Sequence, residues 1–253
     1  MNTAQSAKFE YFLRQGDNAL ILSQQLSQLC GKGPALEEDM ALTNVALDLL
    51  GQTRLWLTYA GELEGHGRDE DRLAYLRDSR EFRNVLLVEQ PNGDYAQTMV
   101  RQFFFDTWHY FLMRELLASK DRRIAEIAEK SLKEVTYHLR RSGDLVVRLG
   151  DGTDESHERV KDGFEWCWRF VEELFTAEPA DAALVNAGVA VDVSKLRASF
   201  DTILAATFAE ATLPLPKYPR AVTGGRKGHH SEHLGHLLAE MQFLPRAYPD
   251  AVW

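Results

Sequence analysis

Residues 94–149 read DYAQTMVRQFFFDTWHYFLMRELLASKDRRIAEIAEKSLKEVTYHLRRSGDLVVRL. The apolar residues recur at a spacing near 3.6, which is the period of an α-helix. Two such segments, 94–119 and 121–149, are separated only by the turn around Lys120. A connection this short makes two helices antiparallel neighbours, so the stretch predicts a long αα-hairpin.

The remainder of the chain repeats this helical pattern. Its eight prolines fall at the ends of segments, and alternating strand patterns are nearly absent. The apolar spacing predicts five further helices, at 5–29, 38–63, 154–176, 194–211 and 231–247. The segment 38–63 is apolar on more than one face, which is typical of a central helix. We therefore expect an all-α fold in which residues 1–253 form a single domain.

The composition excludes several classes of protein. The chain has 253 residues, of which 45% are hydrophobic, and a net charge of −9 at pH 7. So negative a surface repels phosphate backbones, so we expect no nucleic-acid partner. There is no run of 18 apolar residues and no signal-peptide pattern, so we expect no membrane association. The two cysteines, Cys30 and Cys167, form no CxxC motif and fit a cytoplasmic location.

Polar side chains interrupt the apolar faces of three predicted helices. They are Asp48 in the helix 38–63, Asp106 and His109 in the first helix of the hairpin, and Glu134 and His138 in its second helix. Burying such groups is costly unless they are paired or bind a metal. Ferritin-like di-iron bundles place carboxylates and Glu-x-x-His motifs on four helices in this way. The pattern therefore predicts a ferritin-like helical bundle with extra N- and C-terminal helices.

The predicted helix 154–176 decides whether a metal centre is present. Its apolar stripe consists of Val160, Phe164, Cys167, Val171 and Leu174, whereas the acids Glu158, Asp162, Glu165 and Glu172 fall on another face. The second Glu-x-x-His motif is therefore missing. We interpret the five polar side chains of the other helices as a degenerate site, held by hydrogen bonds to one another or to a buried Lys or Arg, with no metal and no catalytic residue. An intact di-iron or di-manganese centre is the alternative.

Four histidines lie close to the start of the last predicted helix: His229, His230, His233 and His236. His229 and His233 are four residues apart, as are Glu232 and His236, and this spacing is permissible for zinc ligands. Ser231, however, is typical of a helix N-cap, which would keep the two preceding histidines outside the helix. We therefore expect no metal site at this position.

Several longer motifs carry a resemblance to a known family. They are RQGDN (14–18), ALDLLGQ (46–52), LLVEQPNG (86–93), RLGDGTD (148–154), TGGRKGH (223–229) and EHLG (232–235). These blocks resemble the bacterial phenylacetyl-CoA epoxidases, which are ring 1,2-epoxidases and multicomponent monooxygenases. The resemblance runs from about Leu13 to Trp253. It implies a ferritin-like subunit that pairs with, and stabilises, a related catalytic subunit in aerobic phenylacetate degradation.

The same resemblance implies where the cofactors and the substrate lie. No cofactor is expected in this chain; a di-iron centre belongs to the partner catalytic subunit, and FAD and an iron–sulfur cluster belong to a separate reductase. Small subunits complete the complex. Two segments correspond to contacts with phenylacetyl-CoA: Glu81, Phe82, Arg83 and Asn84, and Ala182, Ala183 and Leu184. The alternative for the first segment is that Arg77, Arg80 and Arg83 only pair with Asp78 and Glu81 at the surface.

Three functional hypotheses follow. The first is a non-catalytic structural subunit of the multicomponent epoxidase that lines part of the acyl-CoA site. The second is a free-standing ferritin-like di-metal oxygenase or oxidase with its own metal site. The third is a pure scaffold that makes no contact with the substrate.

The aromatic run of helix 94–119 also predicts assembly. Phe103, Phe104, Phe105, Trp108, Tyr110 and Phe111 surround the helix axis, so we expect one aromatic face to lie against another subunit. In the absence of that partner the same face should form a twofold homodimer.

Overall fold

The chain folds into α-helices joined by turns and short 3₁₀-helices. The computed structural model describes residues 3–215, 220–249 and 251, and these contain no strand. Their helices are α1 (Thr3–Ser27), α2 (Leu36–Glu64), α3 (Glu70–Tyr75), α4 (Tyr95–Leu116), α5 (Arg122–Gly150), α6 (Asp154–Trp168), α7 (Ala182–Asn186), α8 (Arg197–Glu210), α9 (Glu232–Met241) and α10 (Phe243–Ala247). The all-α prediction is confirmed, and the long helices are consistent with a ferritin-like helical bundle.

Two compact units make up the chain. The first consists of residues 1–91 and 224–253, and the second of residues 92–223. The single domain expected over 1–253 stays a prediction. Within the described residues, none of the helices combines the length and the apolar character that crossing a membrane requires.

In the first unit, α1 and α2 form a long antiparallel pair. The hydroxyl of Ser23 donates to the carbonyl oxygen of Ala46 at 2.8 Å, and Thr53 Oγ1 lies 3.4 Å from the carbonyl oxygen of Gly16. Contacts that advance along one helix while retreating along the other establish the antiparallel order. The C-terminal helices α9 and α10 belong to the same unit.

In the second unit, α4 and α5 form the predicted hairpin. The carboxylate of Asp121 caps the start of α5 by accepting from two backbone amides. The side chains meet in antiparallel order, with Asp106 against Ser142 and His109 near His138. The hairpin is therefore confirmed, and it brings two of the predicted polar pairs to the same level of the unit.

The helix predicted over 154–176 ends earlier, at Trp168, and continues as a 3₁₀-helix over Val171–Phe175. The tighter turn brings Phe175 against Phe200 of α8, with ring centroids 5.1 Å apart. The predicted faces are nevertheless confirmed. All five residues of the apolar stripe are buried, and the four acids, Glu158, Asp162, Glu165 and Glu172, are exposed.

The structure contradicts the predicted exposure of α2 and α4. Phe103, Phe104, Phe105, Trp108 and Phe111 are all buried, and Tyr110 is half-buried. The prediction that an aromatic face of α4 is left for a partner is therefore wrong, because the chain itself covers these side chains. The helix α2, expected to be central, instead exposes one row of its apolar side chains.

Candidate functional site

A buried carboxylate stands at the centre of the second unit. Asp106 of α4 is inaccessible to solvent. Its Oδ1 accepts from Gln102 Nε2 at 2.7 Å, and its Oδ2 accepts from the hydroxyl of Ser142 at 2.8 Å. Burial raises the pKa of Asp106 to about 6, although His138 and the two hydrogen bonds oppose the shift. Both oxygens of this carboxylate are therefore occupied by donors from the protein.

Two imidazoles lie near this carboxylate. His109 follows Asp106 by one helical turn, and His138 lies on α5. Burial, together with the charge of His138, lowers the pKa of His109 to about 3, so its ring is neutral at pH 7. The ring of His109 packs on Phe105 with centroids 5.0 Å apart, and its Nδ1 has no hydrogen-bond partner among the described residues. The neutral ring of His109 therefore packs against its neighbours as an aromatic side chain does.

The other two polar residues predicted for the site are less buried. Glu134 is half-buried on α5, and Asp48 is half-buried on α2. Asp48 belongs to the first unit, whereas Glu134 and the other three predicted residues belong to the second. Within the second unit the structure brings together Asp106, His109 and His138. Ser142 was not predicted, although its spacing of four residues from His138 places both on one face of α5.

The donor set in this region does not fit a di-metal centre. No group of three or more His, Cys, Asp or Glu side chains within the described residues is arranged to hold a metal ion. Asp106 already accepts two hydrogen bonds, and the acids of α6 point to solvent. A di-iron bundle would need carboxylates from each of four helices directed at one point.

Most side chains of the first segment expected to contact substrate, residues 81–84, are buried or bonded to other residues of this chain. Phe82 and Asn84 are buried, and the carboxylate of Glu81, which is exposed, accepts from the backbone amide of Asp78 at 2.8 Å. The guanidinium of Arg83 donates to Glu10 at 2.9 Å. The arginine is only partly exposed, and its partner is not one of the acids expected from the sequence.

The second segment lies in the other unit. Ala182 and Ala183 are exposed at the start of α7, and Leu184 is buried. Ala182 lines a groove of about 310 Å³, together with Pro179, Val185, Asn186, Val191 and Val193. Three acids, Glu178, Asp181 and Asp192, also belong to the lining. The volume is at the lower end of those that hold small ligands.

An unpredicted charged pair lies beside the first segment. The carboxylate of Glu89 is fully buried; it accepts from His230 Nδ1 at 2.7 Å, from Asn84 Nδ2 at 2.9 Å, and from the backbone amide and hydroxyl of Ser231 at 2.7 and 2.8 Å. The other ring nitrogen of His230 lies 3.1 Å from the carbonyl oxygen of Phe82. The carboxylate of Glu89 and the carbonyl oxygen of Phe82 have no hydrogen to donate. Both ring nitrogens of His230 must therefore donate, which makes the imidazole positively charged.

The environment of His230 supports this charge. Burial alone would lower the pKa of His230, but the hydrogen bond and the charge of Glu89 outweigh burial and raise it. Ser231 is the N-cap of α9, as predicted, with its hydroxyl directed to Glu89. Glu89 lies in the apolar run VLLVEQ (85–90), and a carboxylate in such a run indicates a buried partner of opposite charge. The sequence does not indicate that this partner is His230.

Comparison with known proteins covers the whole chain. The family described as phenylacetic acid catabolic protein matches residues 1–253. The chain is also similar to an Escherichia coli (strain K12) protein that is named as the C subunit of 1,2-phenylacetyl-CoA epoxidase. The two are 51% identical over 243 residues, which is 96% of this chain and 98% of the relative. Similarity of this extent leaves no large region of either chain unmatched.

Proposed function

Because the chain belongs to the phenylacetic acid catabolic protein family, we propose that it is the non-catalytic structural subunit of a phenylacetyl-CoA 1,2-epoxidase. The similarity over nearly its full length to a protein named as the C subunit of such an epoxidase supports the assignment. The observation that carries the non-catalytic role is the buried Asp106. Both of its oxygens accept hydrogen bonds from the protein, and within the described residues it belongs to no group of three or more His, Cys, Asp or Glu side chains that could hold a metal ion.

The proposal includes the partners of the complex. A related subunit would hold the di-iron centre that activates oxygen, small subunits would complete the assembly, and a separate reductase with FAD and an iron–sulfur cluster would deliver electrons. This chain would stabilise the catalytic subunit by pairing with it. We expect the complex to act in the cytoplasm, since Cys30 and Cys167 are both free thiols.

Metal analysis of the isolated chain tests the non-catalytic role. We expect no stoichiometric iron or manganese after purification from metal-supplemented cultures, and the same result for Asp106→Ala. Metal bound near one equivalent or more and lost in Asp106→Ala would overturn the proposal. That result would establish the alternative, a free-standing di-metal oxygenase or oxidase.

We also propose that residues 81–84 and 182–184 line part of the acyl-CoA site in the assembled complex. The exposed Ala182, which lines a groove of mixed apolar and acidic character, and the basic side chain of Arg83 support this contact. We expect Arg83→Ala to weaken phenylacetyl-CoA binding to the complex, as measured by calorimetry. The matched control is Arg114→Ala, which removes a surface arginine paired with Glu115.

Equal affinities of the wild-type, Arg83→Ala and Ala183→Trp complexes for phenylacetyl-CoA would instead identify the chain as a pure scaffold. Thermal unfolding of each complex separates this result from a loss of folding, because Arg83 also bonds Glu10 within the chain.

A further inference from the structure

The backbone amides of residues 83–85 are fixed by two side chains of α1. Asp17 Oδ2 accepts from the amide of Arg83 at 2.8 Å, and Asn18 Oδ1 accepts from the amide of Val85 at 2.8 Å. Both of these α1 side chains are buried. Close packing leaves a buried polar side chain little freedom of its own, so the two bonds hold this segment in place against α1.

The carbonyl oxygens of the same part of the chain are contacted by residues 224–230. A Cβ added at Gly225 would overlap the carbonyl oxygen of Asn84, so the two backbones can lie this close only because this position is glycine. At the end of the contact, His230 Nε2 donates to the carbonyl oxygen of Phe82 at 3.1 Å. The backbone is therefore bound by α1 through its amides and by this second segment through its carbonyl groups.

The side chains of Arg83 and His230 share one acceptor. The carbonyl oxygen of Phe82 accepts from Arg83 Nη1 at 2.9 Å as well as from His230 Nε2. Arg83 Nε donates in turn to Glu10 at 2.9 Å. The guanidinium is therefore held between a carboxylate of α1 and a carbonyl group whose own place is fixed by His230.

We propose that His230 is a positioning residue for acyl-CoA binding: its imidazolium, held by Glu89, fixes the carbonyl group of Phe82 and thereby the guanidinium of Arg83. The proposal rests on the function proposed above, in which residues 81–84 line the acyl-CoA site. A guanidinium binds a phosphate through parallel hydrogen bonds, so its orientation as well as its charge sets the affinity for the phosphates of coenzyme A. His230 needs no contact of its own with the substrate.

This role depends on the proton that gives His230 its charge. A charged imidazole donates from both nitrogens, whereas a neutral one donates from only one. The bond to Glu89, at 2.7 Å, is the stronger of the two because its acceptor is charged. Loss of the proton therefore removes the bond to Phe82 and turns the lone pair of Nε2 toward the carbonyl oxygen. We expect the affinity for acyl-CoA to fall as the pH rises through the pKa of His230.

Glu89 provides most of the negative charge that faces His230. The side chain of His230 is only 4% exposed, and this burial opposes its charge, but the hydrogen bond and charge of Glu89 and the charge of Asp17 favour it. Asp17 is itself paired with Arg77 at 3.0 Å. The titratable neighbours of His230 in the sequence are both exposed: His229 and Glu232. The protonation of the imidazole is therefore set chiefly by its bond to the buried carboxylate.

Calorimetric titration of the assembled complex with phenylacetyl-CoA, at pH values from ~6 to ~9, tests the proposal. We expect the Kd of the wild type to rise by about tenfold over this range, the loss expected for one hydrogen bond from a charged group. The His230→Gln complex should bind weakly at every pH, without this trend, and kcat at saturating substrate should not change. The matched control is His229→Gln at the neighbouring exposed histidine, which should follow the wild type.

Hydrogen exchange of the full-length chain alone separates the positioning from the substrate contact. We expect residues 82–85 to exchange faster in His230→Gln than in the wild type at acidic pH, and the difference to shrink at alkaline pH. Circular dichroism establishes that each variant is folded. The wild-type titration and its His229→Gln control leave position 230 unchanged, so the test does not depend on the folding of one variant.

Four results would each overturn the role of His230. They are a wild-type Kd independent of pH, the same pH trend in His230→Gln, a trend abolished by His229→Gln, and an unchanged exchange of residues 82–85 in His230→Gln. An exchange that responds to His230→Gln while Arg83→Ala leaves the affinity unchanged would overturn the proposal through its substrate contact. A complex that binds no phenylacetyl-CoA at any pH would contradict the proposed function itself, whereas binding without the pH trend contradicts only the role of His230.

Discussion

At the scale of single residues, the charged imidazole of His230 links the segment before α9 to residues 82–89 of the same unit by hydrogen bonds. His230 donates to Glu89 and to the carbonyl of Phe82, and its pKa is raised above the ordinary value. A group with a raised pKa contributes its full stabilisation below its unfolded pKa, near 6.5 for histidine. That contribution is lost as the pH rises through the folded pKa.

We therefore expect His230→Gln to lower the free energy of unfolding by about 3 kcal/mol at pH values below ~6.5, because a buried partner of Glu89 is lost. The difference from the wild type should shrink at alkaline pH, where the native imidazole is neutral as well. Urea unfolding at acidic and alkaline pH measures this. His66→Gln, at an exposed histidine 3.7 Å from Glu64, is the control. A difference independent of pH would contradict the charged state.

The pKa of Asp106 is raised as well, so its contribution to stability changes with pH in the same direction, but here the favoured protonated form is the neutral one. Its pKa of about 6 lies above the value of ~3.9 for an unfolded aspartate, so folding favours the neutral acid. The wild type therefore loses stability as the pH rises from the unfolded to the folded pKa.

We expect Asp106→Asn, which is neutral at every pH, to raise the free energy of unfolding by about 1–2 kcal/mol at neutral pH, with no gain near pH ~4. Asp144→Asn, at an exposed position of α5, should show no such trend. Destabilisation by Asp106→Asn that is largest at neutral pH would show instead that the fold requires the ionised carboxylate.

At the scale of elements, the approach of α6 to α4 depends on one glycine. A Cβ at Gly163 would lie 3.0 Å from the Cα of Gln97 and 3.5 Å from a methyl carbon of Val100. The two helices can therefore pack closely only if this position lacks a side chain.

We expect Gly163→Val to lower the free energy of unfolding by about 2–3 kcal/mol, because the helices must separate. Gly235→Ala in α9 is the matched control, since an added Cβ meets no atom within 4 Å there. It should raise stability by about 0.5–1 kcal/mol through helix propensity alone. Thermal unfolding distinguishes the two, and equal effects would contradict the close approach.

The long helices could be predicted because their apolar periods extend over many turns. The bounds agree to within a few residues except at the end of α6 and in the helix predicted over 231–247, which the structure divides at Gln242 into α9 and α10. The short helices α3 and α7 were not predicted, since five or six residues carry too little periodicity. The sequence also could not tell which apolar face is covered. Helices α2 and α4 each have apolar residues on several sides, and only the tertiary neighbours decide which of them reach solvent. The same applies to Glu89 and His230, which are 141 positions apart.

At the scale of the whole molecule, the proposed role makes activity a property of the assembly. We expect this chain with the reductase to show no turnover of phenylacetyl-CoA, and the catalytic subunit without this chain to be inactive or poorly soluble. Product formation by each combination, measured by chromatography, tests this. Turnover without the catalytic subunit, or full activity without this chain, would contradict the role.

The first unit is discontinuous in sequence, and this has a consequence for the order in which the protein is made. Residues 92–223 are contiguous and can fold as they leave the ribosome, whereas residues 1–91 must wait for residues 224–253. At typical translation rates, the 141 positions between Glu89 and His230 take roughly 10 s to synthesise. During that interval the nascent chain displays a carboxylate and apolar segments that its final residues will cover, which makes the half-made first unit a substrate for chaperones.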